Sequence, residues 1–220
     1  RQGLRVNEWG VFRVPESSDA DALGKEDGER LAGDTEEEVY EALGMAWVPP
    51  ELRENRGEVE AAIEGELPEL VTLDQIRGDL QMHSTWSDGA VSLEEMAQAC
   101  KELGYEYIAV TDHSQAMAMV QGLTPERARK QWAEIDEVRE RVDGIEIFKS
   151  VEIDILKDGS LDMPDDVLEE LDVVVISVHS FMDMDRSAMT DRVLKAMAHP
   201  TVDILAHPTG RRINRREPFE

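Results

Sequence analysis

The fold is decided by a pattern that first occurs in the stretch GDLQMHSTWSDG, residues 78–89. A short β-type segment, 79–83, runs directly into a histidine there. Related segments, each ending near a histidine or a glutamate, are YIAVTDHS (107–114), IEIFKSVE (145–152), VVVISVHS (173–180) and VDILAHP (202–208). Helical patterns lie between these segments. Such alternation is typical of βαβ units and predicts an α/β fold built on a parallel sheet or barrel.

Capping residues in the sequence predict where the helices between these strands begin. Ser92 is placed to cap a helix over 92–103, with Glu95 completing a capping box. Thr124 precedes a proline that suits the first helical position of the next helix. The remaining helices are expected over 164–171 and 189–197. Outside this region, 16–33 is expected to form an acidic loop, and Asp34 to cap a helix that Gly44 ends.

Four of the five histidines are expected to meet at one edge of the sheet. In parallel α/β folds the carboxyl ends of the strands share one face, and sites are built there. The residues expected to converge are His83, His113, Glu152, His179 and His207, with Asp88 and Asp112 nearby. His199 follows a helix instead and is interpreted as a capping or surface residue.

Imidazoles and carboxylates gathered in one place indicate a metal centre. These ligand types suit zinc, manganese or iron. The candidates outnumber the ligands of one catalytic ion, so two or three ions that share a carboxylate are expected. Such a centre lowers the pKa of a water molecule and neutralises phosphoryl oxygens, which indicates phosphoester hydrolysis. Asp112 is interpreted as a partner that orients His113. Ser114 follows His113 directly, which argues against a serine hydrolase.

The composition limits the partners of the chain. Asp and Glu number 49 against 23 Lys and Arg, a net charge of −26 that repels nucleic acid by default. Because the acid is spread over the whole chain, we favour adaptation to high salt over a protein that lacks a polyanionic partner. A single cysteine, Cys100, excludes an internal disulfide and a cysteine-based zinc site. That cysteine usage fits a reducing compartment, so a cytoplasmic location is expected. No apolar run is long enough to span a membrane.

The strand-end motifs together resemble those of the PHP (polymerase and histidinol phosphatase) domain over about residues 76–220. They are the stretch 78–89, the tetrad TDHS at 111–114, Glu152, the tetrad SVHS at 177–180 and the stretch LAHPTGR at 205–211. The resemblance implies a (β/α)7 barrel that holds up to three divalent ions. Manganese is the favoured ion, and zinc or iron are alternatives.

The stretches LRVNEWGVF (4–12), EEEVYEALG (36–44) and WVPPELR (47–53) are similar to the end of the polymerase module of bacterial and archaeal family X DNA polymerases. This resemblance implies three regions. Residues 1–56 would end the polymerase palm and thumb module as a small α+β segment, 57–75 would be a linker, and 76–220 would be a PHP domain.

The resemblance also implies roles for individual residues. His83 and Glu152 would serve a first ion, Asp88 and His113 a second, and His179 and His207 a third that Glu152 bridges. Glu152 and Asp112 are the expected catalytic residues. The implied activity is 3′-5′ exonuclease and related 3′-end phosphoesterase chemistry on gapped or 3′-ended DNA in base excision repair. Two interpretations of Arg211 stay open: it holds a phosphate oxygen, or it is a surface arginine of the only dense basic cluster in the sequence.

Three departures from the family pattern set further expectations. Gln81 stands where the fullest form of the first motif has histidine. The closing Asp-x-His ligands are expected beyond Glu220, and the polymerase carboxylates before Arg1. We therefore expect a fragment with an incomplete barrel, without polymerase activity and without a nucleotide cofactor.

Two alternatives to a repair nuclease remain open. One is a separate PHP phosphatase that acts on a small phosphomonoester such as histidinol phosphate. The stretch 47–53 argues against it, because a phosphatase is expected to begin near Arg77. The other is an inactive PHP barrel that only scaffolds a polymerase, and Gln81 is the residue that favours it.

Overall fold

The computed structural model describes residues 3–14 and 28–218, and the chain divides between Val71 and Thr72 into two compact units. Most of the expected acidic loop over 16–33 lies outside the described residues. At its end, Glu29–Ala32 forms a strand instead of a loop, because it pairs antiparallel with Gly10–Arg13.

The first unit is a small α+β structure. In its described residues the strands form an antiparallel sheet in the order β1-β2-β3, and two α-helices follow along the chain. The elements are β1 (Leu4–Asn7), β2 (Gly10–Arg13), β3 (Glu29–Ala32), α1 (Glu36–Ala42) and α2 (Glu58–Glu64). The cap of α1 is Thr35, whose side chain accepts a hydrogen bond from the Glu38 amide, so the expected cap at Asp34 was wrong by one residue.

The second unit contains a parallel sheet of five strands in the order β4-β5-β6-β7-β8. Each strand therefore lies beside the one that precedes it in the chain, as repeated βαβ units require. The strands are β4 (Gly78–Met82), β5 (Tyr107–Val110), β6 (Glu146–Asp154), β7 (Val173–Ser177) and β8 (Ile204–Leu205). The connecting helices are α3 (Leu93–Glu102), α4 (Pro125–Arg141), α5 (Asp165–Leu168) and α6 (Arg186–Met197).

The capping signals of the second unit are confirmed. The Ser92 hydroxyl accepts from the Glu95 amide and the Glu95 carboxylate accepts from the Ser92 amide, while Thr124 caps α4. α6 begins three residues earlier than expected because Asp185 caps it and accepts from the Ala188 amide.

The strand β6 is the longest in the sheet and continues to Asp154, two residues beyond the end of the quoted stretch 145–152. It does so because β7 pairs with it along Ser150–Asp154. Its side chains are buried on both faces there, as expected for a central parallel strand covered by helices. The expected α/β class is confirmed, with five parallel strands in the described residues where a complete (β/α)7 barrel has seven.

Among the described residues, no helix combines the length and the apolar character needed to cross a membrane.

Replacing Ile153 of β6 with valine tests whether this strand forms the centre of the core. Ile153 is fully buried, so loss of one methylene is expected to lower the free energy of unfolding by about 1 kcal/mol. Urea denaturation measures the change. The matched control is Ile213→Val at a site that is 72% exposed, where a change below about 0.5 kcal/mol is expected. Equal effects at the two sites would contradict this placement of the core.

Candidate metal centre

The carboxylate of Glu152 lies at the centre of a cluster of four histidines. Its Oε2 is 3.5 Å from Nε2 of His83 and 3.3 Å from Nδ1 of His113. Its Oε1 is 3.4 Å from Nε2 of His179 and 2.8 Å from Nε2 of His207. The side chain of Glu152 is only 1% exposed. The residues that the sequence analysis expected to converge are therefore in contact in the folded chain.

The cluster is assembled by the parallel register of the sheet. His83, His113, His179 and His207 follow the carboxyl ends of four strands, whereas Glu152 lies within β6. The main chain of His113 pairs with that of Glu152, and the Ser114 amide donates to the Glu152 carbonyl at 3.0 Å.

The imidazole rings form a continuous row. The ring centroids of His83 and His113 are 4.5 Å apart, those of His113 and His179 4.9 Å, and those of His179 and His207 5.1 Å. Asp88 lies at the His83 end of this row. Its Oδ1 is 3.6 Å from His83 Nδ1 and its Oδ2 is 3.8 Å from His113 Nε2.

The environment fixes the charge of the central groups. Burial opposes ionisation of Glu152, but the hydrogen bond from His207 and the charges of neighbouring histidines outweigh it and lower the pKa of Glu152 to about 2. Burial lowers the pKa of His113, which favours the neutral imidazole. The hydrogen bond to Glu152 raises the pKa of His207. The centre thus combines a carboxylate with a neutral imidazole that has a lone pair to offer.

Two ring nitrogens in the cluster are buried without a hydrogen bond, namely Nδ1 of His83 and Nδ1 of His113. A buried polar atom is normally satisfied, so such atoms call for a partner. Two groups of side chains bring ligand atoms within 4.8 Å of one another: His83, Asp88 and His113, and His113, Glu152 and His179. This donor set of imidazoles and carboxylates fits a divalent transition-metal ion.

Asp112 has a different environment from the one expected. Its buried carboxylate accepts hydrogen bonds from the amides and hydroxyls of Ser84 and Ser87 and from the Gln131 side chain. None of these donors is His113, so the expectation that Asp112 orients His113 was wrong. The physical reason is that Asp112 points to the segment after β4. It thereby holds the turn between His83 and Asp88.

Asp154 is a residue that the sequence analysis missed. It is almost fully buried at the end of β6, with Oδ1 3.4 Å from Nδ1 of His179 and accepting from the His179 amide at 3.1 Å. The Ser177 hydroxyl is 3.1 Å from the same ring nitrogen. The signal was available, because residues two apart in a strand share a face and Glu152 had already been singled out.

The two remaining sequence candidates are Gln81 and Arg211. Gln81 Nε2 is 3.4 Å from His83 Nε2, so the amide occupies space beside the first histidine. Arg211 is exposed in the turn after His207, and its amide donates to the Thr209 hydroxyl at 3.3 Å. His199 lies outside the cluster, with Nδ1 2.8 Å from the Thr201 hydroxyl.

A parallel α/β sheet with histidines and carboxylates along its carboxyl edge defines an α/β domain with a candidate metal centre. Residues 79–208 match the family model of the PHP domain, and residues 1–54 match that of the DNA polymerase beta thumb. The chain therefore belongs to the PHP domain family. The expected resemblance to the PHP-containing part of family X polymerases is confirmed by these two matches in this order.

The curated relatives of the chain include a DNA polymerase and probable phosphatases. The chain is 45% identical to "DNA polymerase/3′-5′ exonuclease PolX" of Bacillus subtilis over 219 residues, which is 100% of this chain and 36% of that protein. It is 31% identical to a probable phosphatase of Thermoanaerobacter and 32% identical to one of Acetivibrio thermocellus, over 59% of this chain and 53% of each phosphatase. The chain thus spans about a third to a half of the relatives it matches.

Replacing Asp112 or Asp88 with asparagine tests two different roles. Asp112 is expected to stabilise the folded site, and Asp88 is expected to bind metal. Asp112→Asn leaves buried donors without an ionised acceptor and is expected to lower the free energy of unfolding by about 1–3 kcal/mol. Asp88→Asn, at a half-exposed side chain, is expected to change it by less than about 0.5 kcal/mol. Manganese affinity should instead fall at least about tenfold in Asp88→Asn.

Urea denaturation and calorimetric titration with manganese measure the two effects. Unchanged stability in Asp112→Asn, or unchanged manganese affinity in Asp88→Asn, would contradict the respective assignment.

Proposed function

We propose that the second unit of the chain is a metal-dependent phosphoesterase that removes nucleotides from DNA 3′ ends. The observation that carries the proposal is the buried Glu152 carboxylate among four imidazoles at the carboxyl edge of a PHP sheet. The similarity to a Bacillus subtilis protein named as a polymerase and 3′-5′ exonuclease supports DNA as the substrate.

The residues proposed to hold metal are His83, Asp88, His113, Glu152, His179 and His207. Divalent ions in such a site neutralise phosphoryl oxygens and lower the pKa of water, which supplies the chemistry of phosphodiester cleavage. Manganese is the proposed ion. Glu152 would serve two ions. Its Oε2 is the oxygen nearer His83 and His113, and its Oε1 is the oxygen nearer His179 and His207.

Three further residues have proposed roles around this set. Asp112 acts as a positioning residue, since it holds the turn between His83 and Asp88. Asp154 orients the His179 ring through Nδ1, which leaves Nε2 directed at Glu152. Arg211, in the turn after His207, is proposed to bind a phosphate oxygen.

The cellular role follows from the similarity to a polymerase. We propose that the parent protein works in base excision repair on gapped or 3′-ended DNA in the cytoplasm. Residues 1–56 would be the end of its polymerase module, and 57–75, which include helix α2 of the first unit, would be the linker to the PHP domain. The match of residues 1–54 to a polymerase thumb supports this division.

A phosphatase is the second candidate function, and the 31–32% identity to probable phosphatases favours it. The two functions differ in substrate. A 3′-5′ exonuclease shortens 5′-labelled single-stranded DNA, whereas a phosphatase of small esters releases phosphate from p-nitrophenyl phosphate and leaves the DNA intact. Assaying both substrates with manganese distinguishes them.

Replacing His207 with alanine is expected to reduce manganese-dependent DNA hydrolysis by about 10- to 100-fold. The change removes the imidazole that is hydrogen-bonded to Glu152 at 2.8 Å. Initial rates on 5′-labelled single-stranded DNA measure the loss. His199→Ala is the matched control, because His199 bonds to Thr201 outside the cluster, and it should retain the wild-type rate. Equal rates for the two variants would refute the assignment of His207.

Replacing Gln81 with histidine tests whether the site is active as it stands. If glutamine at position 81 weakens metal binding at the centre, the new imidazole beside His83 should raise the hydrolysis rate by tenfold or more. The proposed active enzyme instead predicts a change of less than about threefold, since six other candidate ligands are already in place. A wild type without activity that becomes active in Gln81→His would favour the scaffold alternative.

A further inference from the structure

Phe181 is an aromatic residue held in an unusual position next to the cluster. It follows His179 by two residues, and its side chain is 50% exposed. Its φ of 52° lies in the left-handed region, which a bulky residue adopts only when the surrounding structure holds it there. Strained residues of this kind concentrate at binding sites. The exposed ring therefore calls for a function.

A buried arginine on α6 holds the segment that carries Phe181. Nη1 of Arg192 donates to the Ser180 carbonyl at 2.9 Å, and its Nε donates to the Leu156 carbonyl at 2.9 Å. The Arg192 side chain is almost fully buried. One guanidinium thus ties the segment after β7 to the segment after β6. Phe181 directly follows Ser180, and Lys157 directly follows Leu156. The arginine therefore brings the side chains of Phe181 and Lys157 together.

Lys157 differs from the other described lysines in its partner. Its Nζ lies over the Phe181 ring, 5.1 Å from the centroid. Within residues 3–14 and 28–218, each of the four other lysines has a carboxylate oxygen within 4.0 Å, in the pairs Lys101–Asp143, Lys130–Glu126, Lys149–Asp136 and Lys195–Asp158. Lys157 has no such ion pair in that part of the chain.

An ammonium group that lacks a carboxylate is unexpected in a chain of 49 acidic residues. Lys157 is exposed, so its donors remain accessible to an anion from solution. An aromatic ring beside a lysine is the combination with which proteins bind single-stranded nucleic acid, because rings stack on bases and cations bind phosphates. Both segments leave the sheet at the edge where Glu152 and His179 lie.

We propose that Phe181 and Lys157 form a subsite for the 3′-terminal nucleotide of single-stranded DNA, with the ring stacking on the terminal base and the ammonium group binding phosphate. This inference rests on the proposed function, which supplies the 3′ end. It adds the part of the site that recognises the nucleotide beside the metal centre. Arg192 is the residue that positions both components.

The test compares two 5′-fluorescein-labelled thymidine oligonucleotides, one complete and one whose 3′-terminal nucleotide lacks its base. Binding to the full chain is measured by fluorescence anisotropy with calcium in place of manganese. Wild-type protein should bind the complete oligonucleotide about 5- to 100-fold more tightly, the contribution of one stacked base. Phe181→Ala should lose this preference, and Phe181→Trp should keep it. Leu194→Ala, at an exposed apolar residue of α6, should bind as wild type.

The contribution of Lys157 is measured from the salt dependence of the same binding. Lys157→Met should reduce the slope of log Kd against log salt concentration by about 0.7, the value for one single-strand phosphate contact. Lys195→Met, which removes a lysine that already has a carboxylate partner, should leave the slope unchanged.

The wild-type protein alone can overturn the inference. It does so if it binds the two oligonucleotides with equal affinity, or if it binds neither. A preference that persists in Phe181→Ala would also overturn it. These outcomes are separate from failure of the proposed function, which is loss of DNA hydrolysis with manganese, since the binding assay requires no turnover. A protein that hydrolyses DNA but does not distinguish the two ends would retain the function and refute the subsite.

Discussion

The structure of the second unit depends on one constraint, the burial of the Glu152 carboxylate in the central strand of the sheet. A carboxylate taken out of water is costly unless partners compensate its charge. The parallel register provides them, because four strand ends deliver an imidazole to within 3.5 Å of its oxygens. The sheet order, the strand lengths and the positions of the turns are all consistent with bringing these imidazoles to the buried carboxylate.

The residues around the cluster show how the rest of the molecule supports it. Asp112 accepts hydrogen bonds from the turn between His83 and Asp88, and Asp154 faces the ring of His179. Arg192 donates to carbonyls of the segments that follow β6 and β7. Each of these charged groups is buried and has several partners, so each fixes a turn that carries a histidine or lies beside one.

Sequence patterns predicted the alternation of strands and helices because apolar periodicity and helix caps are local. They also placed the four histidines together, since the carboxyl ends of parallel strands share an edge whatever the details of packing. They did not predict the length of β6, which depends on pairing with β7, nor the donors of Asp112, which come from distant segments. The contact between Lys157 and Phe181 also depends on a tertiary anchor that no local pattern contains.

The order of the sheet has a consequence for how the protein matures. The side chains of the cluster are scattered between positions 83 and 207, and each neighbouring pair of strands is joined by an intervening stretch of chain. Non-local parallel pairing of this kind forms slowly, because loop-closure entropy must be overcome before the contacts form. The centre exists only when all five strands are aligned. Metal would then bind only to the folded domain, and binding of ions by the nascent chain would be disfavoured.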